Sequence, residues 1–157
     1  MNDLSKDLLD KIKNLYEQKK FSKLETTIEN IKNFEGLPTN LQMIYAVSKA
    51  LNPNSKIQDY KKSAFFFEKI FLSDQTNLEP LYNFIIVSLK ANMHLRLNNL
   101  LEEVYKKHET DLKILEGLSK ANFFLGNMVK ATSYYEKLSN LTPDSSNNWT
   151  KFLGSIN

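Results

Sequence analysis

Apolar residues recur at intervals of three and four along almost the whole chain, and no stretch sustains an alternation of period two. A helix turns once in about 3.6 residues, so this spacing gathers apolar side chains on one face, whereas a half-buried strand would alternate. The pattern predicts an all-α fold. Four glycines and four prolines fall where a helical reading needs breaks. The predicted helices cover residues 5–18, 22–34, 39–51, 56–72, 78–91, 94–108, 112–125 and 128–141, with a short further helix from 146 to about 155.

The helices come in pairs that repeat every 34 residues, in units starting at Leu78, Leu112 and Ser146, and further back at Thr39 and Ser5. The unit from 39 to 77 is longer. Its extra residues fall in the Asn52-Pro53-Asn54-Ser55 turn, where an insertion costs least. The second helices align closely: Ser63, Phe67 and Ile70 match Leu97, Leu101 and Val104, and then Ala131, Tyr135 and Leu138. Leu24, Ile28 and Ile31 follow the same pattern in the first unit. Each trio lies on one helical face, which predicts burial against neighbouring helices. Thr39 with Gln42, Ser22 with Glu25, and Ser55 with Gln58 have the capping-box spacing. Asn92 and Gly126 share a phase, and both tolerate the left-handed backbone that ends a helix. Pro143 follows a helix that it cannot continue.

Between Leu112 and Ser145, the residues Leu115, Leu118, Ser119, Gly126, Ala131, Tyr135 and Pro143 stand in register. With them this stretch resembles the tetratricopeptide repeat family. That family favours an aromatic or Leu, then Leu, a small residue, Gly, Ala, an aromatic and Pro at those phases. Asn122 departs from the pattern, standing where the family usually has Tyr, and the unit 78–111 has Asn92 for Gly and Leu97 for Ala. The resemblance implies one domain over residues 1–157, a right-handed superhelix (α-solenoid) of about four antiparallel helical hairpins. Its repeats would span about 5–38, 39–77, 78–111 and 112–145, with a partial repeat or capping helix at 146–157. It also implies a scaffold that binds protein or peptide, rather than a catalyst, with the first helix of each pair lining a concave surface. One subset of the family grips acidic C-termini with Lys and Asn at the groove phases. Here those phases hold Leu9 and Lys13, Met43 and Val47, Tyr82 and Ile86, Glu116 and Lys120, so that clamp is missing.

Composition narrows the classes further. At 157 residues and 41% hydrophobic, the chain can bury the core of one compact domain. It has no 18-residue apolar run and no signal-peptide pattern, so the expected location is cytoplasmic, with no membrane span. Without cysteine there is neither disulfide nor thiol chemistry. A net charge of +3 is too balanced to indicate nucleic acid. Arg96 is the only arginine, and arginine makes the planar bidentate contacts of specific readout.

Little of the sequence reads as chemistry. His94 and His108 lack partners at metal-ligand spacing, and there is no Gly-rich phosphate loop or G-x-S-x-G elbow. Glu102 and Glu103 are adjacent and diverge by about 100° on a helix, so they cannot converge on one substrate. Asp7 and Asp10 read as a solvated face, and the pairs Lys19-Lys20 and Lys106-Lys107 as cations at helix C-termini. No metal, cofactor or catalytic group is expected.

The feature that goes beyond scaffold is a second apolar stripe, Tyr82, Ile86 and Leu89, beside the core residues Leu81, Phe84 and Ile85. Met43 and Val47 hold equivalent phases one unit earlier, and Lys120 and Phe123 continue the line later. The stripe either fills contacts between adjacent first helices or forms an apolar groove for a protein or peptide partner. The leading functional expectation is therefore a non-catalytic adaptor. The alternative is the N-terminal recruitment module of a larger bacterial enzyme, such as a glycosyltransferase or sulfotransferase. Trp149, Phe152, Leu153 and Ile156 predict a short last helix whose leftover apolar surface is covered by a further domain or a second copy.

Overall fold

The computed structural model describes residues 4–142. Among them the chain forms eight α-helices and no strand. The helices are α1 (Lys6–Glu17), α2 (Phe21–Glu29), α3 (Thr39–Leu51), α4 (Ile57–Ser73), α5 (Glu79–Lys90), α6 (His94–Tyr105), α7 (Leu112–Phe124) and α8 (Met128–Leu141). The chain divides into two compact units, Met1–Ala91 and Asn92–Asn157. In the first, α1 packs on α2, α2 on α3, α3 on α4 and α4 on α5. In the second, α6 packs on α7 and α7 on α8. Each helix thus buries its apolar face chiefly against its neighbours in sequence. The predicted last helix, with Pro143, Trp149, Phe152, Leu153 and Ile156, lies outside the described residues.

The helix order follows the apolar period, and the ends follow local chemistry. The second helix stops at Glu29, five residues earlier than its apolar spacing predicts. Thr26 and Thr27 donate their hydroxyls to the carbonyls of Ser22 and Lys23 one turn back, a geometry that weakens a helix. Asn33 then takes a left-handed conformation (φ 59°), and the chain turns through a short 3-10 segment, Phe34–Gly36. Ile31 of the predicted first trio therefore lies beyond the helix and is half-buried, while Leu24 and Ile28 are fully buried.

The three capping boxes do not form as predicted. Pro38, not Thr39, is the N-cap of α3, and Gln42 reaches back instead to donate to the Leu37 carbonyl at 2.6 Å. Ser22 lies inside α2, and Glu25 is buried against α3. At α4 the pair moves by one residue: the Asp59 carboxylate accepts from the Lys56 N–H at 2.9 Å. Ser5 and Asp111 are caps, accepting from the N–H groups of Leu8 and Ile114.

Three structural details recur at the sequence period. Lys19, Asn92 and Gly126 hold the same phase of their units, and all have positive φ (54°, 58° and 77°). In the 39–77 unit that phase falls on Pro53, whose ring forbids it. The Ser63 hydroxyl donates to the Ala46 carbonyl at 2.7 Å, and the Ser119 hydroxyl to the Ala131 carbonyl at 2.8 Å. These are the same two phases with serine and alanine exchanged, and all four residues are fully buried. Small side chains there let paired helices approach closely, and the hydroxyl spends its polarity on the opposite backbone.

The third detail is a polar bridge from a first helix to the preceding second helix, between residues 24 apart. Lys49 reaches Glu25 at 3.0 Å, and Asn122 reaches Asn98 at 2.7 Å. The corresponding pair in α5 and α4 is Ser88 and Ala64, both fully buried. Ala64 offers no acceptor, and the Ser88 Oγ has no hydrogen-bond partner. The third trio departs from its predicted burial. Ala131 is fully buried, but Tyr135 and Leu138 are only half-buried, because α7 is the one described helix with extensive contacts to α8.

Candidate binding surface

α5 carries the predicted stripe. Asn77 Oδ1 accepts from the Glu79 N–H, and Pro80 sits in the first turn, where its missing N–H costs nothing. Leu81, Phe84, Ile85 and Val87 are buried, and they fix which face of the helix turns inward. Tyr82 and Leu89 are half-buried on the flank of that face, and Ile86 between them is 54% exposed. On α3, Met43 and Val47 are likewise half-buried, beside the buried Leu41, Tyr45 and Ala46. Lys120 and Phe123 belong to the second unit. Lys120 is half-buried and pairs with Glu116 one turn back, and Phe123 sets its ring edge-on to Phe124 at 5.6 Å.

Sequence reasoning missed two sites in the first unit. One is an ionic cluster around Lys49, which is only 3% exposed. Its ammonium meets Glu25 at 3.0 Å, Asp59 at 3.2 Å and Glu29 at 3.4 Å. Tyr45 donates its hydroxyl to Glu29 at 2.6 Å, and the Asn52 amide donates to Glu25 at 3.0 Å. Burial alone would lower the Lys49 pKa, but the hydrogen bond to Glu25, the Tyr45 and Glu25 charges and the bond to Asp59 together outweigh it and hold the ammonium above the usual lysine range. Burial, and then the bond to Glu29, push the Tyr45 phenol above its ordinary value. The Lys56 N–H and the Lys49 ammonium hold Asp59 below the ordinary carboxylate range, although partial burial opposes them. Phe34 and Phe66 close the cluster on one side, edge-on to Tyr45 and to each other at 5.0–5.6 Å.

The other missed site is a cleft of about 930 Å³ between α1 and α2. Leu4, Leu8, Leu15 and Ile31 supply its apolar lining. The signal was present in Leu8 and Leu15, two turns apart on a helix whose buried face is carried by Ile12, with Leu4 just before its cap.

In the second unit, His94 stacks flat on Phe124, with ring centroids 4.4 Å apart and planes 9° apart. Its Nδ1 is shielded from water without a partner, and burial lowers its pKa. Glu102 pairs with Lys130 at 2.9 Å. Among the described residues no group of three or more His, Asp or Glu side chains is placed to hold a metal ion, and no helix is long and apolar enough to cross a membrane. Comparison with known protein families, curated proteins and solved structures gave no match to this chain.

Proposed function

We propose that this chain is a non-catalytic helical-repeat scaffold of tetratricopeptide type, which binds a protein or peptide partner through the Tyr82, Ile86 and Leu89 face of α5. The exposure of Ile86 carries this reading. Its side chain is 54% exposed at the centre of a well-anchored helix whose opposite side is fully buried. An isoleucine held in water between two half-buried apolar neighbours, one turn away on either side, offers a polypeptide ligand a short apolar strip to cover. Met43 and Val47 extend the same apolar character on α3, and Lys120 and Phe123 hold the corresponding line in the second unit. The repeated left-handed turn and the repeated 24-residue bridge support the helical-repeat reading, since both return at the period of the sequence.

The test is selection from a random peptide library on the purified protein, with counter-selection on Tyr82→Ser/Ile86→Ser. Peptides with apolar anchors should be enriched. Losing an aromatic and an aliphatic contact should weaken their binding on the order of thirtyfold, with the helical circular dichroism retained. Enriched peptides that bind the double variant equally well would move the function off this face.

A further inference from the structure

The α1–α2 cleft is chemically unlike the α5 stripe. Lys11, Lys23 and Lys32 stand around it, and no carboxylate lines it. Lys11 and Lys23 are exposed, and neither ammonium meets an acid among the described residues. Thr26 and Thr27 also line the cleft, but their hydroxyls are already donated to their own helix, at 3.0 and 2.7 Å. Leu4, Leu8, Leu15 and Ile31 therefore give the cleft an apolar strip, Ser22, Thr26, Thr27 and Asn30 a polar side, and the three lysines a cationic rim.

We propose that this cleft is a second docking site, for an acidic amphipathic helix of a partner protein. Leu8, Lys11 and Leu15 follow one edge of α1 at spacings of three and four, and Leu4 lines the cleft from the residue just before the Ser5 cap. At about 1.5 Å per residue, that edge matches two to three turns of a docked helix. An apolar stripe on the ligand covers the apolar strip, and flanking carboxylates meet the lysines, so charge fixes orientation as well as encounter. The concave shape argues against a lipid surface, which takes a convex apolar ridge rather than a cleft. A second copy docking this face on itself would set Lys11 and Lys23 against like charges. The proposal does not rest on the α5 reading, because the two surfaces differ in residues, charge and helices.

The probe is a fluorescein-labelled 14-residue helical peptide with leucine on one face and glutamate on its flanks, titrated into the 157-residue chain by anisotropy. A matched peptide with lysine for every glutamate is the control. The acidic peptide should bind, its affinity should fall with added salt, and Lys11→Glu/Lys23→Glu should weaken it by about tenfold or more. Leu8→Asp should abolish binding, while Tyr82→Ser/Ile86→Ser should leave it unchanged. Circular dichroism of each variant checks the fold, and the two lysine reversals at exposed positions keep the test decisive if Leu8→Asp unfolds. Equal binding of the lysine peptide, or indifference to the charge reversal, would overturn the proposal. So would binding to vesicles of phosphatidylserine that is lost on the same reversal, which would assign the cleft to lipid. Dimerisation abolished by Leu8→Asp, seen by light scattering, would assign it to a second copy and equally overturn the proposal.

Discussion

A single lysine shows how a local pattern and a distant partner divide the information in a sequence. Lys49 stands between Ser48 and Ala50 in a largely apolar helix, and nothing in its local sequence names a partner. Its principal partner, Glu25, lies 24 residues earlier and fits a capping-box spacing just as well. That coincidence is physical. The box spans three residues, close to one helical turn, so a Glu at that offset suits a cap and a tertiary contact equally. Only the packing of α2 on α3 decides between them, and it buries both charges. Removing the cation leaves Glu25 desolvated with the Asn52 amide as its remaining close donor at 3.0 Å. Lys49→Met should therefore lower stability by about 3–5 kcal/mol, read from the urea midpoint. The double variant with Glu25→Gln should recover part of the loss. A single variant as stable as the parent would show that the cluster contributes nothing net.

At the scale of the helix, existence and order were legible, and ends less so. All eight predicted helices within residues 4–142 occur, and 39–51 and 128–141 match to the residue. The early stop of α2 was not legible, because the apolar spacing runs on through Ile31 while threonine back-bonding and the left-handed Asn33 end the helix. The left-handed turn was legible at Asn92 and Gly126, whose chemistry invites it, and hidden at Lys19, whose chemistry does not. The candidate stripe on α5 could be placed by helical phase alone. The α1–α2 cleft needed the packing of two helices and could not. The recurring polar bridge makes a prediction with opposite signs at one phase. Asn122 is buried with its amide bonded to Asn98 and to the Leu118 carbonyl, so Asn122→Ala should cost about 1–3 kcal/mol by stranding Asn98. The Ser88 hydroxyl is buried without a partner, so Ser88→Ala should be neutral or stabilise by about 1 kcal/mol. Matched urea titrations of the two variants check the contrast, and a loss of stability in both would mean that Ser88 has a partner after all.

Across the molecule, the connectivity of packing limits how folding can proceed. Every extensive helix pairing among the described residues joins sequence neighbours: α1 with α2 through α4 with α5 in one unit, α6 with α7 and α7 with α8 in the other. No long loop has to close before a contact forms, so the entropy lost at each step is small and is offset at once by burial. The same locality explains why the fold class could be read from a period while the partner could not. The period marks most of the buried positions, such as Leu24, Phe67, Leu101 and Ala131, whereas Ile86, Lys11 and Lys23 stand on surfaces where it sets no residue type. The kinetic consequence is direct. Helical proteins with local contacts fold in microseconds to milliseconds, so refolding from urea, followed by circular dichroism at the helical band, should have its main phase complete within about 10 ms. Lys49→Met and Asn122→Ala perturb different units, and neither should move that phase into the seconds range, since neither creates a long-range contact. A main phase lasting seconds in the parent chain would mean that non-local contacts limit folding, and the neighbour-only account of its stability would be wrong.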